Sequence, residues 1–310
     1  MSMCATASHD LSEPLAGTAA TARTWLLIEQ PGPWGAKALT SSRLDPAVGE
    51  ALESATTGTE VRTALIRRPG RHPDRPGRAG RLYLAHTAPG RSWIRTARGV
   101  DPADLPGLDF AALGAGVHDG LWEPYEGDPP VLVCTNGRRD RCCAVLGRPL
   151  AEELAAAGEA AWEVTHIGGH RFAPTLFVLP YGYAYGRVTA RAVKEITHAA
   201  REGQVVAAHS RGRSCWERPG QAADLAVRAR TGETGADALS VVRTEPFPEG
   251  GPDEPPGWSV TVAHTDGRAW QVRVERGTAL PPRPESCGKA PGTPVRMDVT
   301  AVRELGGPAR

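Results

Sequence analysis

Short apolar runs alternate with polar, turn-rich connections along the chain, a pattern typical of an α/β protein. In the first third, apolar runs at residues 24–29, 60–68 and 80–87 predict three strands. Between the first two, "LDPAVGEALESA" has apolar residues near helical spacing, and Asp45 is placed to cap a helix. This third is therefore predicted to form an α/β unit. Residues 1–23 lack periodicity and are expected to form a flexible arm.

The middle third continues the alternation of strands and helices. "PPVLVCT", "AWEVTHI" and "PTLFVLP" predict buried strands, and "VTARAVKEITHAAREG" predicts a helix closed by glycine. Residues 140–157 are predicted to be mostly helical, with Pro149 starting the stronger half, and "YGYAYGR" is predicted to be a turn. Strand, helix, strand, strand, helix is the order of a thioredoxin-like core, although this order also fits other small α/β folds.

The last third changes character. "AADLAVRAR" predicts a helix, "ALSVVRTEPF" a strand and "EGGPDEPPG" a solvent loop, while "WSVTVAHTDGRAWQVRVERG" predicts a hairpin that turns at Asp266 and Gly267. The predicted fold class is therefore α/β: a thioredoxin-like core with a preceding α/β unit and a β-rich C-terminal extension. The predicted segments are an arm at 1–23, an N-terminal α/β unit at 24–118, the core at 119–215 and the extension at 216–310.

Composition excludes several function classes. The 310 residues carry 36 Lys and Arg against 35 Asp and Glu, and a net charge of +1 gives no reason to expect nucleic-acid binding or attachment to a membrane surface. The sequence lacks an apolar run of membrane-helix length, and its first residues lack the pattern of a signal peptide. The expected location is the cytoplasm, where a cluster of cysteines indicates metal or redox chemistry rather than disulfides.

Two short motifs carry the candidate chemistry: "CTNGRRDRCC", which begins at Cys134, and "HIGGH", which begins at His166. Cysteine and histidine are ligands of zinc and iron. Cys134 ends a predicted strand, and Asp140 can cap the next helix, so thiol 134 and thiol 142 or 143 would meet near a helix N-terminus that favours thiolates. Two glycines and the nearby Pro174 favour a tight loop for "HIGGH", and glycine also allows the backbone to approach a bulky group.

Other interpretations of the cysteines remain open at this point. Structural zinc sites usually place two thiols two to four residues apart, whereas seven or eight residues intervene here, and this spacing favours a larger ligand. A dithiol–disulfide site is disfavoured because there is no C-x-x-C motif and adjacent cysteines pair only with strain. Cys4, Cys215 and Cys287 stand apart in sequence, and a lone cysteine is usually a small buried apolar residue.

The two motifs, "CTNGRRDRCC" and "THIGGHRFAPTLFVLPYG", together with "WLLIEQPGPWG", resemble the sucrase/ferredoxin-like family. The resemblance spans roughly residues 20–215, and it implies a thioredoxin-like [2Fe-2S] ferredoxin of the Apd-like type. The family's two cysteine and two histidine ligands fall on Cys134, Cys143, His166 and His170. Cys143 is preferred over Cys142 on this resemblance alone. The chain shows no convincing carboxylate pair to support the glycosidase that the word "sucrase" suggests.

The resemblance implies a single-electron carrier rather than an enzyme that turns over its own substrate, and no catalytic residue is assigned. Two imidazoles in place of thiolates raise the potential of a cluster and can couple electron uptake to proton uptake. Because no G-x-G-x-x-G follows a predicted strand, electrons are expected from a reductase protein and are passed to an acceptor protein. The alternatives are a thioredoxin-like module with structural zinc or a thiol-redox role, and an oxidoreductase that uses the cluster on its own small substrate.

Four arginines flank the predicted ligands: Arg138, Arg139, Arg141 and Arg171. They are either ordinary solvated charges or a docking face for an acidic redox partner that also raises the potential.

Overall fold

The structure, a computed structural model, describes residues 3–70, 80–247 and 256–306, which form two separate β-sheets and six α-helices. The helices are α1 (Cys4–Asp10), α2 (Pro46–Thr56), α3 (Phe110–Gly114), α4 (Arg141–Ala156), α5 (Ala190–Arg201) and α6 (Arg218–Thr231). The strands of the larger sheet are β1 (Thr24–Glu29), β2 (Val61–Arg67), β3 (Arg81–His86), β4 (Trp93–Arg98), β5 (Glu123–Pro124), β6 (Val131–Cys134), β7 (Ala161–Val164), β8 (Thr175–Val178), β9 (Tyr183–Gly186) and β10 (Ser210–Arg213). The strands of the smaller sheet are β11 (Leu239–Pro246), β12 (Gly257–His264), β13 (Ala269–Thr278) and β14 (Val295–Leu305).

The larger sheet contains the predicted core, in which β6, α4, β7, β8, β9 and α5 follow one another. Its strands lie in the order β9-β8-β6-β7, with β6 and β7 parallel and the other neighbours antiparallel. The first half of the chain has the same connectivity. Its strands lie in the order β2-β1-β3-β4, with β1 and β2 parallel and the other neighbours antiparallel. The α/β fold class is therefore confirmed, and the N-terminal unit repeats the strand arrangement of the core.

The two halves share one continuous sheet. Strands β2 and β7 pair antiparallel, with Ile66 opposite Val164 and Arg67 opposite Glu163. Tightly packed apolar residues from both halves lie on one face of this junction, among them Trp25, Phe177 and Cys134. The expected boundary between residues 118 and 119 therefore divides the chain without dividing the sheet.

The smaller sheet is the β-rich extension, and its strands lie antiparallel in the order β11-β12-β13-β14. The predicted hairpin is present, with β12 and β13 joined through Asp266 and through Gly267, whose φ is +94°. Helix α6 packs Ala222, Ala223 and Val227 against this sheet. The loop expected at 249–257 lies mostly outside the described residues.

The structure differs from the sequence-based expectations at three places. Part of the expected arm is helix α1, because Cys4 and Ala5 are buried against Ala173. Helix α4 runs without a break through Pro149, whose missing N–H frees a carbonyl at Val145 on the exposed side of the helix. The segment "YGYAYGR" contains strand β9 rather than only a turn, since its tyrosines are buried in the core and aromatic residues favour strands.

Among the described residues, no helix is both long enough and apolar enough to cross a membrane.

Candidate metal centre

The end of β6 and the start of α4 bring two thiols together. Cys134 is the last residue of β6, Cys143 lies in the first turn of α4, and both are buried. The predicted cap is present, since Asp140 Oδ1 accepts a hydrogen bond of 2.9 Å from the backbone N–H of Cys142. At Gly147, a Cβ atom would lie 2.3 Å from the carbonyl oxygen of Cys134, so glycine lets α4 pack closely on β6.

The "HIGGH" segment is the expected tight loop, and its glycines fix its path. Gly168 and Gly169 have φ values of +80° and +69°, in the left-handed region that favours glycine. A Cβ atom at Gly169 would lie 2.1 Å from Nη2 of Arg211, so the group that approaches this backbone closely is a guanidinium. His166 stands before the glycines, and His170 begins a 3-10 turn after them.

Three of the four predicted ligands lie close together. One ligand atom from each of Cys134, Cys143 and His166 lies within 4.8 Å of the others, an arrangement that could hold a metal ion. His170 is next to this group, with its ring centroid 5.1 Å from that of His166. Its Nε2 atom lies 3.6 Å from Oδ2 of Asp140.

Each imidazole has one buried nitrogen without a hydrogen-bond partner among the described residues. This nitrogen is Nδ1 in both His166 and His170. Buried polar atoms in folded proteins are nearly always paired, so two imidazoles that each leave a buried nitrogen unpaired near two thiols are consistent with a metal site. The donors are soft or borderline, as iron and zinc require.

The two thiols have opposite proton affinities. A hydrogen bond from the Cys143 thiol, supported by His166 and by the backbone N–H of Ile167, holds the pKa of the Cys134 thiol well below its usual value despite burial. The hydrogen bond to Cys134, together with burial, raises the pKa of the Cys143 thiol. The first proton of the pair is therefore lost easily and the second with difficulty, so a cation at this place is needed to hold both sulfurs as thiolates.

Two arginines far away in sequence supply positive charge at the site. Arg211 on β10 is buried and donates a hydrogen bond of 3.0 Å to the carbonyl oxygen of Gly168. Burial, followed by the neighbouring Arg171 charge, lowers the pKa of Arg211 to about 9, and the thiols of Cys134 and Cys143 oppose this shift. On β2, Arg62 donates a bond of 3.1 Å to the carbonyl oxygen of His166. Burial lowers the pKa of Arg62, and the Cys134 thiol opposes the shift.

The flanking arginines divide into two kinds. Arg138, Arg139 and Arg141 are exposed beside the thiols. Arg171 is mostly buried, and it forms ion pairs of 2.8 Å with Glu13 and 3.2 Å with Glu285. Arg171 therefore joins distant segments of the chain and does not belong to an exposed charged face.

Cys142 takes part in a different group from its neighbour Cys143. Its side chain meets Cys4, Cys287 and Asp140 in a second arrangement that could hold a metal ion. The expectation that Cys4 and Cys287 stand alone is therefore wrong in space, although it describes their sequence positions. Cys215 belongs to neither group, and burial raises the pKa of its thiol to about 12.

Sequence reasoning missed Arg62, Arg211 and the second cysteine group. These residues come from strands or segments that are distant along the chain, so no sequence motif with a short, regular spacing indicates that they meet.

Comparison with families of known proteins gives a match. The sequence pattern of the sucrase/ferredoxin-like family matches residues 15–212, well over half of the chain. No curated protein and no solved structure matches significantly. The matched range includes all four predicted ligands and ends before the smaller sheet. The chain belongs to the sucrase/ferredoxin-like family.

Proposed function

We propose that the chain binds a [2Fe-2S] cluster through Cys134, Cys143, His166 and His170 and carries single electrons between protein partners. The observation that carries this proposal is the group of two buried thiols and one partly exposed imidazole within 4.8 Å, with a second imidazole beside it. A cluster with two imidazole ligands accepts and releases one electron at a higher potential than one held by four cysteines.

The surrounding residues suit a site that gains negative charge. Arg62 and Arg211 bring two cations from β2 and β10 to the loop that carries the imidazoles. A positive charge in a poorly solvated place stabilises the reduced state over the oxidised state, because the reduced state is more negative by one charge. Burial of both thiols keeps water away from the sulfurs. The charges of Arg62 and Arg211 are therefore expected to raise the reduction potential of the cluster further.

A proton can accompany the electron at His170. Its Nδ1 atom is the unpaired nitrogen, and its Nε2 atom lies 3.6 Å from Oδ2 of Asp140. With Nδ1 as the ligand atom, Nε2 is left to hold the proton, and the carboxylate of Asp140 stabilises that protonated form. The reduction potential of the bound cluster is therefore expected to fall as the pH rises.

The exposed arginines supply a docking face of three charges, Arg138, Arg139 and Arg141. Such a face steers an acidic redox protein to the site and accelerates encounter at low salt. Replacing all three by Glu should slow oxidation by anionic ferricyanide and should speed oxidation by cationic hexaamminecobalt(III). Arg303→Glu, on the second sheet, is the control. Equal rates for wild type and the triple variant with both oxidants would remove the docking face from the proposal.

The test of the cluster is a visible spectrum of anaerobically purified protein, with iron, zinc and acid-labile sulfide measured on the same sample. We expect bands that bleach with dithionite and about two iron and two sulfide per chain. Cys134→Ser should lose most of the iron, and Cys215→Ser, a buried thiol outside both groups, should retain it. Protein without iron and sulfide after reconstitution would contradict the proposal and favour a thiol-redox module.

Two further comparisons test the ligand set. His166→Cys or His170→Cys should keep a cluster with a lower potential and a weaker pH dependence. Cys143→Ser should lose iron and Cys142→Ser should keep it, and the opposite result would reassign the second thiol ligand.

A further inference from the structure

A second group of metal-ligand side chains lies beside the first, and its members come from three distant parts of the chain. Cys4 belongs to α1, Cys142 to the first turn of α4, and Cys287 to the segment between β13 and β14. Cys4 and Cys142 are fully buried, and Cys287 is half-buried. Asp140, the cap of α4, completes the group.

The three sulfurs form a compact triangle. The Sγ atoms of Cys4 and Cys142 are 3.5 Å apart, those of Cys142 and Cys287 are 3.2 Å apart, and those of Cys287 and Cys4 are 3.7 Å apart. Oδ1 and Oδ2 of Asp140 lie 3.7 and 3.8 Å from the sulfur of Cys4. A tetrahedral zinc ion with Zn–S bonds of about 2.3 Å separates its sulfurs by about 3.8 Å. The four side chains therefore have nearly the spacing of a tetrahedral ligand set.

We propose that Cys4, Cys142, Cys287 and Asp140 bind one Zn²⁺ ion. When the ion binds, three thiols lose three protons and the carboxylate supplies the fourth donor. A disulfide explains the triangle less well, because it joins two sulfurs at about 2.05 Å and leaves the third thiol buried beside the bond.

The surroundings support negatively charged sulfur at this place. The backbone N–H of Ala5 points to the sulfur of Cys142 at 3.4 Å, and the N-terminus of the 16-residue helix α4 lies beside it. Asp140 is held rigidly, since Oδ2 accepts hydrogen bonds of 2.8 Å from the Ser286 hydroxyl and from the backbone N–H of Cys287. A ligand whose oxygens are already oriented by hydrogen bonds is typical of an organised metal site.

The zinc site would fasten helix α1 and the segment between β13 and β14 to the start of α4. Cys4 and Cys287 lie outside the family match, which spans residues 15–212, so the match does not account for this ligand set. Asp140 Oδ2 also lies 3.6 Å from Nε2 of His170, a proposed ligand of the iron–sulfur cluster. A zinc ion bound to Asp140 would therefore hold in place a carboxylate that lies next to the cluster site. The zinc proposal does not depend on iron binding, and the two are tested separately.

The experiment measures zinc and iron in the full chain after dialysis, with zinc-edge X-ray absorption on the same samples. We expect about one zinc per chain, bound by about three sulfurs and one lighter atom. Cys4→Ser and Cys287→Ser should each lose most of the zinc, while Cys215→Ser retains it. Cys134→Ser should lose iron and retain zinc, which separates the two sites. Because Cys287 is only half-buried, Cys287→Ser is the variant least expected to disturb folding.

Three results for zinc content and for the thiols would overturn the zinc proposal, and a fourth concerns iron. They are wild-type protein that binds no zinc when zinc is supplied during expression, zinc that stays unchanged in both Cys4→Ser and Cys287→Ser, and thiol counting with peptide mapping that finds a disulfide among the three cysteines. Iron in place of zinc, lost with Cys4→Ser but not with Cys134→Ser, would also contradict it.

Discussion

Gly169→Ala tests how closely the "HIGGH" loop depends on a buried arginine. Gly168 and Gly169 are adjacent and both left-handed, with φ values of +80° and +69°. Their surroundings differ. A Cβ atom at Gly168 would meet Cβ of Ala20 at 3.6 Å, an ordinary contact, whereas one at Gly169 would lie 2.1 Å from Nη2 and 2.4 Å from Cζ of Arg211. Gly168→Ala is therefore a matched control for backbone strain.

The expected cost follows from these contacts. Placing alanine in the left-handed region costs about 1 to 2 kcal/mol at either position. At Gly169 the guanidinium of Arg211 must also move, and it would lose bonds such as those to the Gly168 carbonyl oxygen, at 3.0 Å, and to the Thr18 hydroxyl, at 3.1 Å. A hydrogen bond from a charged group contributes about 1.5 to 3 kcal/mol. Gly169→Ala should therefore destabilise the protein by at least about 3 kcal/mol more than Gly168→Ala.

Urea unfolding of both variants, alone and combined with Arg211→Leu, measures the difference. With Arg211 removed, Gly169→Ala should cost no more than Gly168→Ala, because the conflicting group is gone. Iron content should fall in Gly169→Ala more than in Gly168→Ala, since the loop carries both imidazoles. Equal destabilisation by the two alanines in the wild-type background would refute the reasoning about Arg211.

Three further predictions concern stability. His86 is buried and donates from Nδ1 to Thr24, and its Nε2 atom has no partner in the described part of the chain. Burial lowers the pKa of His86 from 6.5 to about 4. Between about pH 7.5 and about pH 5 the unfolded chain binds a proton at His86 and the folded chain does not, so the free energy of unfolding should fall by about 2 kcal/mol over this range. In denaturant titrations, His86→Gln should remove this part of the loss. A variant with the same pH profile as the wild type would contradict the prediction. Arg67→Met should cost about 3 to 5 kcal/mol in urea unfolding, because it leaves the buried carboxylate of Glu163, 2.8 Å from Nε, without its cation. The double variant with Glu163→Leu should be more stable than that single variant, and a less stable double variant would contradict this explanation. No described residue lies within 4 Å of a Cβ atom built at Gly267, where φ is +94°, so the cost of Gly267→Ala should be backbone strain alone, about 1 to 2 kcal/mol by thermal unfolding. A loss well above that would show an unrecognised contact.

Local patterns predicted most of the regular structure. Residues 24–29 form a strand whose bounds match the prediction, and the helices after Asp45 and Asp140 begin at those caps. The hairpin at Gly267 was also predicted, because its turn residues have a local conformational preference. Strand β9 was missed because "YGYAYGR" combines strand-forming tyrosines with glycines, and burial against the core decides between the two preferences.

Long-range contacts could not be predicted in the same way. Cys4 and Cys142 are 138 residues apart along the chain, yet their sulfurs are 3.5 Å apart. Arg211 lies behind Gly169 because β10 joins the edge of the sheet beside β9, which the sequence does not indicate. Such contacts depend on the order of strands in the sheet, and one sequence carries no local signal of that order.

The repeated strand arrangement suggests why the chemistry is found in one half. At the carboxyl ends of β6 and β7, the core presents Cys134 and then His166. At the corresponding ends of β1 and β2, Trp34 donates a hydrogen bond of 3.1 Å to the carbonyl oxygen of Gln30, and its ring lies 4.2 Å from the guanidinium carbon of Arg67. An indole and a guanidinium fill space and satisfy each other, but neither is a ligand for iron or zinc. In the described residues the first half therefore uses this position for packing, and the same connectivity in the second half leaves the position to thiols and imidazoles.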